Sequence, residues 1–342
     1  MTYKVIEIDN KRWDAFVLAQ PDTLFVQSSS YAEFYRKQGE QAWLFGVVDE
    51  SGTLVFGSLV TSTHAKRGNF LYLPYGPIGS NSDVELYNIF FSFLTEFGKK
   101  QGYHFVRFSP FFDETGEYEQ LLKSIGAKPS PMHILAETTW LLPLKESEEK
   151  LLANMNKNHR NLINRCQRDG VRVEMRTDLE ALKLFNDLHD ETAKRHKFHR
   201  FSRAYIEHEF CSLVEQGNAV IFLGYLPDGT LDAASIIIYF GNTASYRHAA
   251  SLNQDKRLPT AYLLQWKSIV EAKKRGMTLY NFWGIAPETA SKDHPFFGIT
   301  HYKKGFGGYQ RDIVHCHDIV LSSRYYLTWI VETIRSKKRG FS

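Results

Sequence analysis

The sequence predicts an α/β (α+β) protein built from two tandem copies of one unit. A β-hairpin pattern occurs twice, with the turn text SGTL at 51–54 and DGTL at 228–231. The strand, helix and strand that follow the hairpin also occur twice, so that KKQGYHFVRF at 99–108 is echoed by KKRGMTLYNF at 273–282. The offset between the copies stays at about 174–178 residues throughout, and a constant offset over several elements favours duplication over coincidence.

Each element has its own local signal. The serines at 28–30 can cap a helix that ends at Gly39, and residues 84–100 place apolar side chains at helical spacing. Short apolar or alternating runs bounded by turn residues predict strands. The predicted strands of the first copy are 3–8, 42–48, 54–60, 69–73 and 105–108. The second copy repeats strands at 219–225, 231–239, 244–250 and 279–282, with its helix at 259–275.

Three further helices complete the prediction. Residues 151–168 form a strongly basic helix closed by Gly170, and residues 178–195 form a second helix with a cationic end. The tail helix, 325–339, carries Trp and Tyr and ends in the text RSKKR. We expect its apolar face to pack on a domain. Its basic end is either solvated or in peripheral contact with anionic lipid at the inner membrane surface.

Composition sets the broad class of the protein. With 342 residues, 43% of them hydrophobic, the chain can bury a sizeable core in one large or two medium domains. The formal charge of +4 permits an anionic partner without demanding one. Three cysteines without CxxC spacing, no signal-peptide pattern and no long apolar run predict a cytoplasmic protein, with peripheral membrane contact left open.

Several common catalytic patterns do not occur in the sequence. It has no GxSxG elbow, P-loop or GxGxxG turn. Two groups of histidines lack the partners and spacing of a metal site, and we predict no metal there. These are His196, His199 and His208 in one group, and His315 and His317 in the other.

The repeated unit suits an acyltransferase with two acetyltransferase-like (GNAT-like) domains and a cleft between them. Such domains bind coenzyme A with an Arg/Gln-x-x-Gly-x-Gly/Ala turn. The closest texts here, RKQGEQ at 36–41 and QRDGVR at 167–172, both differ at the last position. We therefore expect no cofactor and a different acyl donor. The repeated unit, the basic helix and the text KKGFGG at 303–308 together point to anionic substrates. Aminoacyl-tRNA and a nucleotide-linked or lipid-linked pyrophosphate would both qualify as such substrates.

The most informative stretch runs from 280 to 308 and ends in YKKGFGG. Three glycines in four positions require a sharp turn or a close approach of another group to the backbone. Lys303 and Lys304 enter this turn, so it is either an anion contact or a structural turn with solvated lysines.

With these motifs in view, the chain resembles the Fem family of non-ribosomal peptidyl transferases, and most of all the short FemX-like members without a coiled-coil arm. The resemblance covers nearly the whole chain, and YKKGFGG at 302–308 is its most specific part. The other matching texts are VQSSSYAEFYRKQG (26–39), VRFSP (106–110), RCQRDGVRVE (165–174), SYRHAAS (245–251) and YNFWGI (280–285).

The resemblance also implies site residues. Lys303 matches the lysine that stabilises charge on the tetrahedral intermediate, whereas Lys304 falls on a variable position. The implied substrate-binding positions are Tyr35, Arg36, Lys37, Ser109, Arg200, Arg203, Tyr205, Tyr246, His248 and Tyr302. Three of them depart from the family, because Tyr35 replaces a lysine, Ser109 an aspartate and His248 a tyrosine.

The resemblance implies an aminoacyltransferase that moves an amino acid from aminoacyl-tRNA to the stem peptide of a peptidoglycan precursor, nucleotide-linked or lipid-linked. An ammonium beside a developing oxyanion is the chemistry such a reaction needs. A coenzyme A-dependent N-acyltransferase and a non-catalytic tRNA- or lipid-binding protein are the alternatives. The predicted domains are 1–145 plus 317–342, and 146–316.

Overall fold

The computed structural model describes residues 2–65, 68–80, 82–113, 116–196, 199–288, 290 and 296–339, with the backbone alone at 65, 116, 117 and 337–339. The chain forms two compact units. Unit 1 comprises Met1–Thr138, Ala286–Phe297 and Arg311–Ser342, and unit 2 comprises Thr139–Ile285 and Gly298–Gln310.

The described residues alternate between strands and helices. In chain order the strands are β1 (Lys4–Glu7), β2 (Ala42–Val48), β3 (Leu54–Ala65), β4 (Gly68–Leu73), β5 (Phe105–Phe108), β6 (Lys128–Pro129), β7 (Thr138–Pro143), β8 (Arg172–Arg176), β9 (Ala219–Tyr225), β10 (Leu231–Phe240), β11 (Thr243–Ser251), β12 (Leu279–Gly284), β13 (Tyr309–Asp312) and β14 (His317–Val320). The helices are α1 (Asn10–Leu18), α2 (Ser29–Lys37), α3 (Val84–Lys100), α4 (Gly116–Ser124), α5 (Glu148–Asn154), α6 (Lys157–Arg168), α7 (Leu179–His196), α8 (Arg203–Val214), α9 (Thr260–Lys274), α10 (Phe297–Lys304) and α11 (Tyr325–Arg339), with a 3₁₀ turn at Phe25–Gln27.

The two units repeat one sheet topology. Within the described ranges, the strand order is β1-β2-β3-β4-β5-β14-β6 in unit 1 and β8-β9-β10-β11-β12-β7-β13 in unit 2. The hairpins β2–β3 and β9–β10 are antiparallel, and the pairs β4–β5 and β11–β12 are parallel at matching places. A parallel pair needs a crossover, which α3 and α9 provide. The predicted α/β fold and its duplication are confirmed.

The last strand of each sequence repeat joins the sheet that is formed mainly by the other repeat. β7 follows the first copy in sequence but pairs with β12, and β14 follows the second copy but pairs with β5. The predicted boundary near residue 145 would assign β7 to the first domain, whereas its pairing places it in unit 2. For the same reason the segment that leads into β14, from Arg311 onward, lies with unit 1.

Local sequence signals account for the main helix of unit 1. The carboxylate of Asp83 caps α3 and accepts hydrogen bonds from the amides of Glu85 and Leu86 at 3.0 and 3.1 Å. Leu86, Phe90 and Leu94, at helical spacing, are all buried against the sheet. Burial of each such side chain contributes about 1.5–3 kcal/mol.

A buried arginine decides how α11 packs on unit 1. Arg107 of β5 donates to Asp318 of β14 at 2.7 and 2.8 Å, and to Glu332 of α11 at 3.2 and 2.8 Å. All three side chains are at most 1% exposed. A buried guanidinium without matched carboxylates costs several kcal/mol, so the Glu332 side of α11 turns inward, together with Tyr325 and Thr328. The prediction that the apolar face of α11 packs on a domain is therefore wrong.

Candidate functional site

The glycine-rich turn after α10 is required by close packing in unit 2. A Cβ on Gly305 would lie 2.0 Å from the His159 ring, and one on Gly308 would lie 2.2 Å from a carbonyl oxygen of β7. Gly307 and Gly308 have φ angles of 88° and 102°, which favour glycine. Phe306, between Gly305 and Gly307, is fully buried. The predicted turn and close approach are confirmed: close packing explains Gly305 and Gly308, and the backbone conformation explains Gly307.

Packing does not explain the lysine that precedes the turn. Lys303, on the last turn of α10, is only 5% exposed. Its Nζ donates to the carbonyl oxygen of Gly284 at 2.6 Å, and no carboxylate among the described residues pairs with it. Burial lowers the pKa of Lys303 to about 7. At neutral pH the amine therefore exists in both its charged and its neutral form, and a negative charge beside it would favour the charged form.

Two of the predicted tyrosines belong to the aromatic core of unit 2. The Tyr302 hydroxyl donates to the carbonyl oxygen of Ala261 at 3.0 Å and neighbours the hydroxyl of Tyr246. The rings of Tyr302 and Phe306 meet edge to face at 5.2 Å. Burial raises the pKa of Tyr246 and Tyr302, so both hydroxyls stay protonated at neutral pH. The structure thus brings together Tyr246 and the sequence neighbour of Lys303.

A β-bulge separates Tyr246 from His248. Ile237 pairs with Tyr246 and Ile236 pairs with His248, so Arg247 is an extra residue in β11. Residues two apart in a regular strand face the same side, but the bulge reverses this. Tyr246 packs in the core beneath α9, whereas His248 faces a glutamate of α8. The structure does not bring these two predicted residues to one side of the sheet.

His248 and Arg247 share a buried carboxylate, Glu209 of α8. The His248 Nε2 lies 2.6 Å from one Glu209 oxygen, and Arg247 Nε donates to the other at 2.9 Å. Burial opposes the ionisation of Glu209, but Arg247 and His248 outweigh it and hold its pKa at about 2. Burial also lowers the pKa of His248 more than Glu209 raises it. The ionised carboxylate of Glu209 therefore accepts a hydrogen bond from the Nε2–H of His248.

Arg247 extends this group toward Lys303. Its guanidinium lies over the rings of Phe201 and Trp283, at 5.9 and 5.3 Å from their centroids, and contacts the hydroxyl of Tyr205 at 3.4 Å. Trp283 has a φ of 65°, and the next residue supplies the carbonyl oxygen that accepts from Lys303. The end of β12 thus connects both arrangements. We call Glu209, Arg247, His248, Tyr205 and Trp283 the Glu209 cluster.

Sequence reasoning missed three members of the Glu209 cluster. Arg247 stands between two predicted residues in SYRHAAS, and Trp283 lies inside the matched text YNFWGI. Arg247 could have been found there if the bulge had been foreseen. Glu209 had no local signal, because its partners lie 38 and 39 residues away.

The two predicted arginines before Tyr205 are bound to α7. Arg200 donates to Asp190 at 2.7 Å and to the carbonyl oxygen of Asn186 at 2.9 Å. Arg203, half-exposed, also pairs with Asp190. Arg203 and Tyr205 lie on the first turn of α8. The hydrogen bonds of Arg200 therefore stabilise the fold, whereas Arg203 is the more accessible of the two cations.

The other predicted positions lie in unit 1. Tyr35 is half-buried, with its ring 5.3 Å from that of Tyr31. Arg36 donates to the carbonyl oxygen of residue 42 at 2.8 Å, and Lys37 is exposed on the last turn of α2. Ser109 is fully buried beside the Tyr72 hydroxyl. Arg36 and Lys37 are thus surface cations, whereas Ser109 lies in the interior.

Of the histidines considered as metal ligands, His315 has two well-placed partners within unit 1. The Nδ1 of His315 lies 2.9 Å from Glu137, and its Nε2 lies 2.7 Å from the carbonyl oxygen of Ser130. In the part of the chain that the structure describes, no group of three His, Cys, Asp or Glu side chains could hold a metal ion.

Known proteins similar to this chain agree with the duplicated architecture. A Staphylococcus epidermidis protein named lipid II:glycine glycyltransferase is 20% identical, over 97% of this chain and 96% of that protein. The aligned span of 402 positions exceeds the 342 residues here, so that relative carries insertions. The crystal structure of FemX matches with a TM-score of 0.85 at 19% identity, over 96% of this chain and all of that one.

A tandem GNAT protein from the clavulanic acid biosynthesis pathway matches with a TM-score of 0.60 at 10% identity, over 94% of this chain and 99% of that one. This likeness confirms the acetyltransferase-like fold predicted for the two units. The FemAB family model matches residues 8–228 and 227–316, and so runs through both. The chain belongs to the FemAB family.

Proposed function

We propose that the protein is an aminoacyltransferase that adds an amino acid to the peptide of a peptidoglycan precursor, with aminoacyl-tRNA as the donor. The relatives named lipid II:glycine glycyltransferase support the transfer and a lipid-linked acceptor. The observation that carries the proposal is the buried amine of Lys303, which donates to a carbonyl oxygen and meets no carboxylate among the described residues.

The proposed reaction is an aminolysis of an ester. The acceptor amine attacks the carbonyl carbon of the aminoacyl ester, and a C–N bond forms while the carbonyl oxygen gains negative charge. The ester C–O bond then breaks, and the proton lost by the amine ends on the ribose hydroxyl that leaves. Because the ester is already activated, this pathway requires no strong general base.

Lys303 is proposed to stabilise the oxyanion. A preorganised donor in a dry site lowers such a barrier by about 3–4 kcal/mol. Burial lowers the pKa of Lys303 to about 7, so at neutral pH part of the population already carries the ammonium, and it is this protonated form that an oxyanion forming nearby would favour. The ammonium charge is then strongest in the transition state, which is where it accelerates the reaction.

The neighbours of Lys303 are proposed to position the substrates. Tyr302 precedes Lys303 in α10, and its hydroxyl adjoins that of Tyr246, so these two tyrosines are proposed to fix the position of this part of the site. The half-exposed Arg203 and the Tyr205–Arg247 pair of the Glu209 cluster supply donors for anionic groups of the acceptor. Tyr35, Arg36, Lys37, Ser109, Arg200 and His248 stay predictions as substrate-binding residues.

The test is an in vitro transfer assay with radiolabelled Gly-, Ala- or Ser-tRNA against lipid-linked and nucleotide-linked precursors. We expect product with a charged tRNA, and a 10²- to 10³-fold loss of kcat in Lys303→Ala. Lys304→Ala is the matched control. Its Nζ lies over the Trp140 ring and 3.4 Å from Gln310, and we expect less than about a threefold effect.

Two outcomes would contradict the proposal. Near-normal turnover by Lys303→Ala, with an unchanged circular dichroism spectrum, would remove the catalytic role of this residue. Acetyl transfer from acetyl-coenzyme A without any response to charged tRNA would replace the proposed donor.

A further inference from the structure

Helix α11 has its polar side toward the protein and its apolar side toward solvent. The inward positions are Tyr325, Thr328, Glu332 and Ser336, all buried. The outward positions include Leu327, which is 70% exposed, and Ile330 and Ile334, each 51% exposed. The outward side chains together form the apolar face of α11, which consists of Tyr326, Leu327, Trp329, Ile330, Val331 and Ile334. Surface helices of globular proteins normally show the opposite arrangement.

Contacts within unit 1 explain the polar inward side of α11 but not its apolar outward side. Glu332 must face inward because Arg107 requires its carboxylate. Nothing in the Arg107 network, however, calls for six large apolar side chains on the outer surface. Polar residues there would leave the internal contacts unchanged. A contiguous exposed apolar surface of this kind marks an interaction site.

The charge around the apolar face is positive. The segment 321–342 contains five Lys or Arg residues and a single acidic residue, Glu332, which is buried. Arg324 and Arg335 are exposed at the two ends of the helix. Lys128 lies over the Tyr326 ring at 5.6 Å from its centroid. The face therefore combines apolar side chains, a Trp, a Tyr and a cationic border.

We infer that α11 docks the protein on the surface of an anionic lipid bilayer. The helix would lie parallel to the surface, with Leu327, Ile330 and Ile334 among the acyl chains and its cations at the headgroups. Trp329 and Tyr326 suit the boundary between these layers, because each joins an apolar ring to a polar group. Among the described residues, no helix is long and apolar enough to cross a membrane.

The same observations favour a bilayer over two other occupants. A second copy of the chain would bring two cationic borders together in a symmetric pair, which charge repulsion opposes. An RNA would attract the cations but would leave the apolar side chains exposed, since phosphate contacts do not use them. An anionic bilayer satisfies both parts of the surface. This inference does not rest on the proposed aminoacyl transfer.

The test is co-sedimentation of the full chain with phosphatidylglycerol/phosphatidylcholine vesicles and with phosphatidylcholine vesicles. We expect binding to the anionic vesicles that weakens with added salt. The double substitution Leu327→Glu and Ile330→Glu should reduce binding at least tenfold. The matched control, Leu18→Glu and Leu179→Glu, places the same charges on two exposed leucines outside α11 and should leave binding unchanged. Unfolding curves of both variants report whether the fold is kept.

A second measurement follows Trp329 directly. Of the six tryptophans, Trp329 is the exposed one, so brominated lipid should quench the fluorescence of the wild type and much less that of Trp329→Phe. Equal binding of the Leu327→Glu, Ile330→Glu variant would overturn the inference. So would equal binding to neutral and anionic vesicles. A dimer that this variant converts to monomer, without a change in vesicle binding, would assign the face to a second copy. If this variant loses tRNA binding without a change in vesicle binding, the apolar face of α11 would be assigned to RNA.

Discussion

Arg107 of unit 1 and Lys303 of unit 2 are both buried cations, and their surroundings hold them in opposite ways. In unit 1, Arg107 is held by two carboxylates, Asp318 and Glu332, at 2.7 to 3.2 Å. In unit 2, Lys303 is also buried, but its Nζ donates to a single carbonyl oxygen, that of Gly284. A fully paired charge stabilises its surroundings and offers nothing to a substrate. A buried cation with a neutral partner costs stability, and it can be neutralised by a charge that arrives from outside.

The difference begins at one repeated position. Arg107 lies in β5 where Asn281 lies in β12, in the matched texts VRF and YNF. The Asn281 side chain accepts from the amide of Trp283 at 2.7 Å, next to the left-handed φ of 65° at that tryptophan. One residue later, Gly284 meets Lys303. The same strand of the repeat thus holds a fully paired cation in unit 1 and leads into the carbonyl group that binds the buried amine of Lys303 in unit 2.

The largest effect should come from breaking the paired cation. Arg107→Met leaves two buried carboxylates without a counter-charge, and loss of one partner from a buried ion network costs about 3–5 kcal/mol. We expect the free energy of unfolding to fall by that amount in urea denaturation. Detachment of α11 should accompany it, since Glu332 anchors that helix.

The control replaces the whole network. The triple variant Arg107→Met, Asp318→Leu and Glu332→Leu removes every charge together, and an apolar group of similar volume can replace a buried ion network without loss. It should recover most of the stability lost in Arg107→Met. If the triple variant is less stable than the single one, the arginine stabilises unit 1 by packing rather than by charge.

The structural features that depend on patterns within the sequence were predicted. The hairpins, α3 and the duplication follow from apolar spacing, and the glycine turn follows from backbone freedom. The packing of α11 could not be predicted, because it is set by Arg107, which lies more than 200 residues away in the chain. The exchange of β7 and β14 and the contact of Glu209 with β11 are non-local in the same way. The opposite facing of Tyr246 and His248 depends on a bulge that no residue between them signals.

Substitution of Lys303 should change the free energy of unfolding in the opposite direction to substitution of Arg107. Lys303→Met removes a buried amine, and we expect a gain of about 2–4 kcal/mol in stability at pH 7 together with loss of activity. The folded pKa is about 7 against an ordinary value of 10.5. Between these values the unfolded chain binds more protons, so wild-type stability rises with pH. The gap between variant and wild type should therefore narrow from pH 7 to pH 10.

Urea denaturation at pH 7, 8.5 and 10 checks this, with Lys304→Met as the control. The Nζ of Lys304 lies over the Trp140 ring. Substitution of this residue should change the free energy of unfolding only slightly, and by the same amount at each pH. A constant gap for Lys303→Met would mean that the amine is charged throughout and has a counter-ion.

A smaller effect should follow from crowding the turn that positions Lys303. In Gly305→Ala the new Cβ meets the His159 ring, which cannot swing away because it packs on Phe306 and Tyr262 at 5.0 and 4.8 Å. We expect a loss of about 1–3 kcal/mol in stability. His159→Ala frees that space, so the cost of Gly305→Ala should shrink in the double variant.

Gly307→Ala separates packing from backbone strain. Its Cβ would meet nothing closer than 3.8 Å, but its φ of 88° disfavours alanine. We expect a cost of about 1 kcal/mol that His159→Ala does not relieve. If the two glycine substitutions respond alike to His159→Ala, the turn is held by its backbone conformation and the contact with His159 is incidental. If only Gly305→Ala is relieved, and transfer activity recovers with it, the histidine sets the position of the last turn of α10 and so of Lys303.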